Sequence, residues 1–180
     1  MEGFVVRSPK ELDQYRDRIL ENVEQAVQRL VNEDATYFKK FFQMKFEQVG
    51  FHPVADKPLN FIEQLNQTFT YLAAVDGARM IWKFHPEVRE LTVYPGAHAP
   101  KGTLDIEATD GASSIGAETF SAVKPSNNGK LNRDIQKLLT RKEVYRYIFF
   151  ISPKYPENKR QAVLEAEGVQ VWSLWPFEEF

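Results

Sequence analysis

The sequence predicts an α/β domain in which helices flank a central sheet, preceded by a helical extension. Two observations lead to this class. The chain has 180 residues, of which 43% are hydrophobic, and this is enough for one compact core. After residue 55, helical hydrophobic patterns alternate with short β-branched and aromatic runs. We therefore predict a helical extension over residues 1–55 and an α/β core over residues 56–180.

The predicted extension contains two helices. Residues 8–11 read Ser-Pro-Lys-Glu, a capping box with proline at the first helical position. The apolar residues that follow at helical spacing are Leu12, Tyr15, Ile19, Val23, Ala26 and Leu30. A second helical pattern, rich in phenylalanine, spans residues 38–49 and stops at Gly50. These apolar faces predict packing against the core or a homodimer contact.

The predicted core begins with a helix that Asn60 opens and that ends near Asp76 and Gly77. Alternating apolar runs, turn residues and helical spacing define the later elements. They are strands at 78–84 and 90–94, a hairpin of 103–109 and 115–123, a helix at about 129–140, a strand at 144–151, a short helix at 158–167 and a strand at 169–174.

The hairpin carries two acidic residues, Asp105 and Glu118, inside strands whose other residues are typical of buried positions. An Asp-Gly turn signal predicts a connection over residues 110–113, which would pair Thr109 with Ser114. Counting back along both strands places Asp105 opposite Glu118. Directly opposed Cβ atoms are about 4.5–5.5 Å apart, and like charges at that distance destabilise a sheet unless a cation or a shared proton lies between them. A divalent metal ion is the simplest explanation.

The residues around these two carboxylates resemble the motif of the PD-(D/E)XK nuclease superfamily. In that family a turn leads into a strand with an aspartate, and the next strand bears an acidic residue, any residue and a lysine. Residues 102–105 match the first half, and residues 118–120 match the second half except that Phe120 replaces the lysine. The resemblance covers roughly residues 59–174. It implies a restriction-endonuclease-like fold with a mixed central sheet, Mg²⁺ (or Mn²⁺) held by Asp105 and Glu118, and hydrolysis of DNA phosphodiester bonds.

The missing motif lysine implies that another cation acts at the phosphate. Lys124 shares a strand face with Phe120, but four residues at ~3.3 Å each place its backbone about 13 Å away. Lys130, in the first turn of the next helix, is the better candidate. Members of the superfamily that the chain resembles can carry the motif lysine on a neighbouring helix or strand.

Two further acidic residues are possible auxiliary ligands. Glu107 projects on the same strand face as Asp105, about 6.6 Å along, and is either a third ligand or a solvated side chain. Glu63 resembles a glutamate that many members of the superfamily place on their first core helix. Asn60 and Glu63 also form a capping pair, which explains Glu63 without any role in the site.

One side of the helix that follows Glu118 is basic, because its cations recur at helical spacing at Lys130, Arg133, Lys137 and Arg141. Together with Lys124 and Asn128, the first three are predicted to contact nucleic-acid phosphates. A solvated basic face and ordinary helix capping by Asn127 or Asn128 explain the same residues.

The composition of the chain argues against several classes of protein and of site. A net charge of −2 argues against a protein that coats polyanions over its whole surface, although a local basic patch can still bind nucleic acid. The chain has no cysteine, and its histidines, His52, His85 and His98, are widely spaced, which argues against a zinc site. We find neither a signal-peptide pattern nor an apolar run of about 20 residues, so we expect a cytoplasmic protein with no membrane partner.

Three functions fit this pattern. The first is a Mg²⁺-dependent DNA endonuclease. The second is a catalytically inactive nuclease fold that acts as a nucleic-acid-binding or assembly subunit. The third is a protein-interaction module built around the N-terminal helices, with the acidic residues incidental. Binding of a divalent metal ion separates the first from the second, because only an active site requires it.

Overall fold

The computed structural model describes residues 3–96 and 100–177, and it shows a mixed α/β protein. Its helices are α1 (Pro9–Asn32), α2 (Tyr37–Phe46), α3 (Phe61–Phe84) and α4 (Lys130–Leu139). Its strands are β1 (Phe4–Val6), β2 (Gly50–Phe51), β3 (Pro58–Leu59), β4 (Leu91–Val93), β5 (Ile106–Thr109), β6 (Ser114–Ser121), β7 (Tyr145–Ile151), β8 (Lys159–Arg160) and β9 (Gln170–Leu174). Short 3-10 turns precede α4 and follow β8.

Seven strands form one mixed sheet in the order β1-β4-β5-β6-β7-β9-β8. The pairs from β1 to β6 are antiparallel, β6-β7 and β7-β9 are parallel, and β8 pairs antiparallel with β9. Strands β2 and β3 form a separate antiparallel pair. The predicted mixed sheet flanked by helices is therefore confirmed at the level of the α/β class.

Both faces of the sheet are buried, and β7 shows how the sequence achieves this. Tyr147, Phe149 and Ile151 contribute to the core under α1 and α3, whereas Ile148 and Phe150 contribute to a second core under α4. Successive strand residues point to opposite faces, so a continuous apolar strand packs against helices on both sides.

The N-terminal segment joins this architecture directly. Strand β1 pairs with β4, and Val6, Leu12 and Ile19 belong to the same core as α3. The predicted capping box is present, with Ser8 Oγ accepting a hydrogen bond of 3.3 Å from the Glu11 backbone N–H. Helix α1 buries its predicted apolar stripe, and its fully or nearly buried residues are Leu12, Ile19, Ala26 and Leu30.

Helix α3 is longer than the sequence predicts. It continues past Asp76 and Gly77 to Phe84, so the predicted strand at 78–84 is wrong. Gly77 does not end the helix: a Cβ there would lie 2.9 Å from Cδ2 of Phe149, and the glycine permits close contact between α3 and β7. Asp76 is buried and forms an ion pair of 3.2 Å with Arg16 of α1. Tertiary contacts therefore explain an Asp-Gly pair that locally resembles a turn.

The short helix predicted at 158–167 is also wrong. The segment holds β8 and a 3-10 turn at Ala162–Leu164. Its polar side chains bind β9 and the residue after it: Gln161 Nε2 donates to Ser173 Oγ at 2.9 Å, and Asn158 Oδ1 accepts from the Trp175 backbone N–H at 2.7 Å. These long-range hydrogen bonds favour an extended edge segment over a helix.

Helix α2 keeps most of its aromatic side chains outside the core. Tyr37 is 92% exposed, Phe38 80% and Phe41 71%, and Gln43 is the buried residue of this helix. Of the two predicted alternatives, these side chains therefore do not take the one in which they pack into the core of their own chain, and the homodimer contact stays a prediction. Within the described ranges, no helix combines the length and the apolar character that crossing a membrane would require.

Candidate active site

The two carboxylates of the hairpin meet in one cleft of about 700 Å³, beside α4. The cleft is lined by Thr70, Gly96, Pro100, Gly102, Thr103, Asp105, Glu118, Thr119, Phe120, Ser121, Ala122, Asn127, Asn128, Lys130, Arg133 and Lys137. Of the predicted site residues, the structure thus brings together Asp105, Glu118, Asn128, Lys130, Arg133 and Lys137. His98 lies outside the described residues.

The hairpin register explains why the carboxylates meet. Thr109 pairs with Ser114 and Ile106 with Ala117, so the predicted four-residue connection is confirmed. Asp105 directly precedes β5, and its Oδ2 accepts hydrogen bonds from the Thr119 backbone N–H at 2.7 Å and from Thr119 Oγ1 at 3.1 Å. These bonds fix Asp105 against the residue next to Glu118.

Glu118 is almost fully buried and has two lysines beside it. Lys137 Nζ donates to Glu118 Oε1 at 2.5 Å and to the Thr103 carbonyl oxygen at 2.8 Å. Lys130 Nζ lies 4.0 Å from Glu118 Oε2 and 2.6 Å from Asp134 Oδ1. Together with Asp105, the cluster therefore contains the three carboxyl groups of Asp105, Glu118 and Asp134 and the two ammonium groups of Lys130 and Lys137.

Helix α4 supplies these lysines because of how it packs. Leu131, Ile135 and Leu138 are buried in the second core, as predicted. Lys130 and Lys137 lie on the neighbouring side of the helix and reach the cleft. The helix begins after Gly129, whose φ of 64° lies in the left-handed region that glycine adopts readily.

Burial raises the pKa values of all three carboxyl groups. It raises the pKa of Glu118 to about 7, and the nearby Asp105 carboxylate adds to this increase, whereas Lys137 opposes it. Burial likewise raises the pKa of Asp105, against the hydrogen bonds from Thr119 and the charge of Lys130. It also raises the pKa of Asp134, against its hydrogen bond with Lys130. Carboxyl groups that are costly to ionise in a polar cleft are typical of functional sites.

Phe120 forms part of the cleft wall. Its ring stacks on Phe150 with centroids 5.6 Å apart, and Lys130 Nζ lies 5.9 Å from its centroid. The side chain is 5% exposed and belongs to the second core. Lys130 therefore lies beside both Phe120 and Glu118.

The other predicted site residues lie elsewhere. Glu63 is exposed, and its backbone N–H donates to Asn60 Oδ1 at 2.8 Å, as in the capping alternative. Glu107 Oε1 accepts from the Leu104 backbone N–H at 3.1 Å and from Arg141 Nη2 at 3.3 Å. Neither belongs to the residues that line the cleft.

The predicted phosphate contacts divide into two places. Asn128 and Arg133 line the cleft, and Arg133 Nη1 donates to the Asn128 carbonyl oxygen. Lys124 instead borders a neighbouring depression with Lys154 and Tyr155. The structure therefore groups Asn128 and Arg133, but not Lys124, with the two carboxylates.

Two residues have roles that the sequence analysis did not assign. Lys137 was predicted as a phosphate contact, yet it forms the short ion pair with Glu118. Asp134, the partner of Lys130, was not predicted at all. The available signal was spacing: Lys130, Asp134 and Lys137 follow one another at i, i+4 and i+7, which places all three on one side of a helix.

Comparison of the chain with protein-family models, with curated proteins and with solved structures finds no match. The chemical interpretation of the cleft therefore depends on its geometry.

Proposed function

We propose that this protein is a Mg²⁺-dependent endonuclease that hydrolyses DNA phosphodiester bonds, built on a restriction-endonuclease-like fold. The observation that carries the proposal is the cluster in the cleft. Asp105 and Glu118, brought together by adjacent strands, share one buried polar site with Lys130 and Lys137 of the following helix. A pair of carboxylates with adjacent cations suits a metal ion beside a phosphate group.

The residues present fit a hydrated Mg²⁺ ion. Mg²⁺ prefers oxygen ligands, usually one or two carboxylates together with several waters. Asp105 and Glu118 supply the carboxylates, and because burial raises the pKa of both groups, a bound cation would stabilise their ionised form. Among the described residues, Asp134 Oδ2 is a buried acceptor without a hydrogen-bond partner. An added cation would balance the charge of the two buried carboxylates, and one of its waters would donate a hydrogen bond to Asp134 Oδ2.

The bound ion would polarise a phosphoryl oxygen and lower the pKa of a bound water that attacks in line. The chain itself would position the phosphate. With Glu118 as a ligand of the cation, the Lys137 ammonium group would be available to pair with a phosphate oxygen. Lys130, held by Asp134, supplies a second positive charge near the wall formed by Phe120. Arg133 and the first turn of α4 lie where they can contact a neighbouring phosphate.

The direct test is cleavage of supercoiled plasmid and of single- and double-stranded DNA and RNA oligonucleotides. We expect cleavage of DNA with Mg²⁺ or Mn²⁺ and none with EDTA. Cleavage that persists in EDTA would exclude the metal mechanism. No cleavage of any substrate with either metal would exclude the nuclease.

A second candidate is the catalytically inactive nucleic-acid-binding or assembly subunit. Phe120 in the lysine position favours it, and so does the 2.5 Å ion pair by which Lys137 already balances Glu118. The two candidates differ in metal binding, which calorimetry with Mn²⁺ measures. DNA binding that is independent of Mn²⁺, in a protein that binds no Mn²⁺, would support the inactive subunit.

The raised pKa of Glu118 predicts pH-dependent metal binding. The carboxyl group must lose its proton to hold a cation, and with a pKa of about 7 it is mostly protonated at pH 6 and mostly ionised at pH 8. We therefore expect Mg²⁺ affinity to fall about tenfold from pH 8 to pH 6, by proton competition at this one group. Calorimetric titrations at both pH values test this. Equal affinities would contradict a role for Glu118 as ligand.

The proposed homodimer would form through the exposed apolar surface of α1 and α2. This surface consists of Leu20, Val27 and Val31 of α1 and the exposed aromatic residues of α2, Tyr37, Phe38, Phe41, Phe42 and Phe46. Lys40 Nζ donates to the Val31 carbonyl oxygen at 3.0 Å, which places the start of α2 beside the end of α1. A second copy fits because α2 carries three lysines and no acidic residue, whereas the exposed Asp17, Glu21 and Glu24 share one side of α1, so contact between α2 of one copy and α1 of the other pairs opposite charges.

We expect the wild type to be a dimer and the double variant Phe38→Ser, Phe41→Ser to be a monomer in light scattering. Both side chains are exposed, so the variant should keep its fold. Val163→Ser is the control, because Val163 is 89% exposed and lies outside this surface. A monomeric wild type, or a variant that dimerises as the wild type does, would exclude this interface.

A further inference from the structure

A second group of side chains of the types that can ligate a metal lies at the opposite end of β5 from Asp105. His85 follows the last residue of α3, Glu87 comes two residues later, and Asp110 opens the turn between β5 and β6. Each offers one ligand atom, and these atoms all lie within 4.8 Å of one another. His85 Nδ1 and Glu87 Oε1 are 3.4 Å apart. The sequence argued against a zinc site because its histidines are far apart, yet one histidine with two carboxylates needs no second histidine.

His85 is held in an orientation that suits a ligand. It is 6% exposed, its Nε2 lies 2.8 Å from the Tyr147 hydroxyl, and the Tyr145 ring packs against it with centroids 4.5 Å apart. The tyrosine hydroxyl can accept a hydrogen bond from Nε2–H. This tautomer leaves the Nδ1 lone pair facing Glu87. Ligating histidines usually donate their second ring N–H in this way, which fixes the ring and its tautomer.

Asp110 is equally well positioned. Its Oδ1 accepts the backbone N–H groups of Ala112 at 2.8 Å and Ser113 at 2.6 Å, and a cation would take Oδ2. Glu87 is about half exposed, so its side chain can move. Two ligand atoms of one ion at about 2.1 Å each are at most about 4.2 Å apart, so ligand atoms within 4.8 Å of one another need to move by less than about 1 Å to enclose a metal.

We propose that His85, Glu87 and Asp110 form a site for a zinc-class divalent metal ion, separate from the carboxylate cleft. One imidazole and two carboxylates match the ligands of Zn²⁺, whereas Mg²⁺ prefers oxygen ligands alone. Three protein ligands leave a fourth position for water. Five residues of extended chain separate Asp105 from Asp110, about 16 Å, so the two sites share no ligand. The bound ion would join the end of α3 to the β5–β6 turn.

The test is calorimetric titration of metal-free protein with Zn²⁺ in a Glu118→Gln background, which removes a carboxylate from the cleft. We expect one Zn²⁺ ion to bind and the unfolding temperature to rise. Adding Asp110→Asn should weaken binding at least tenfold, because the asparagine oxygen can still accept the turn hydrogen bonds while the second oxygen is lost. His85→Gln should do the same.

Two results would overturn the proposal. One is Zn²⁺ binding that is unchanged by both Asp110→Asn and His85→Gln. The other is the absence of Zn²⁺ binding in the Glu118→Gln protein and equally in Asp105→Asn. Neither result depends on DNA cleavage, so this proposal and the proposed nuclease can fail independently.

Discussion

Replacing Glu118 by glutamine should reduce Mg²⁺-dependent DNA cleavage by about 10³-fold or more. The amide removes one of the two charges that would hold the metal, and it leaves Lys137 without its partner at 2.5 Å. Loss of a single positioned electrostatic group costs about 10²–10³-fold, and loss of a metal ligand should cost at least that much. The measurement is the rate of plasmid nicking at saturating Mg²⁺, together with Mn²⁺ affinity by calorimetry.

The matched control is Glu107→Gln, since Glu107 is a neighbouring hairpin carboxylate that contacts Arg141 and lies outside the cleft lining. It should cleave at nearly the wild-type rate. Glu118→Gln should also remain folded. Burial raises the pKa of Glu118 to about 7, so above this pH the wild type must hold an ionised carboxylate in a buried position, and the neutral glutamine avoids that free-energy cost. Wild-type cleavage by the Glu118 variant would remove Glu118 from the mechanism. An equal loss in both variants would point to the hairpin structure instead.

Local signals predicted the register of the hairpin correctly, although its first strand begins at Ile106 and not at residue 103, so that Asp105 precedes the strand. The Asp-Gly turn and the strict alternation of strand residues depend on neighbours in the chain, so the register of Thr109 with Ser114 could be inferred without any tertiary contact. The end of α3 could not be inferred in this way. Gly77 has the local character of a helix stop, and only its contact with Phe149 of β7 shows why the helix continues through it.

The same distinction holds for the candidate site. Asp105 and Glu118 meet because one hairpin places them side by side, which the sequence shows. Whether Lys130 or Lys137 pairs with Glu118 depends on the orientation of α4 about its own axis. That orientation is set when Leu131, Ile135 and Leu138 pack into the second core. His85 and Asp110 meet only because α3 ends beside the β5–β6 turn, an arrangement set by the whole sheet.

The sequence placed the replacement lysine at Lys130, and the structure adds Lys137 as a second candidate. Lys137 Nζ contacts Glu118 Oε1 at 2.5 Å, whereas Lys130 Nζ lies 4.0 Å from Oε2 and is held at 2.6 Å by Asp134. If Glu118 binds the metal, the Lys137 ammonium group competes with the ion for this carboxylate, and it is the nearer of the two ammonium groups available for the phosphate. Lys130 would act from a fixed position beside Phe120.

Lys137→Ala should therefore lower the cleavage rate by about 10²–10³-fold and at the same time strengthen Mn²⁺ binding, because the variant lacks the ammonium group that competes for Glu118. Lys130→Ala should also lose cleavage, but with a smaller gain in Mn²⁺ affinity, since its main partner is Asp134 and its Nζ lies 4.0 Å from Glu118 Oε2. Lys142→Ala is the control, an exposed lysine just beyond α4 and outside the cleft lining. Single-turnover cleavage and calorimetry separate the two effects. Unchanged cleavage in both cleft variants would exclude these lysines as substitutes for the motif lysine, and weaker Mn²⁺ binding in Lys137→Ala would contradict its competition with the ion for Glu118.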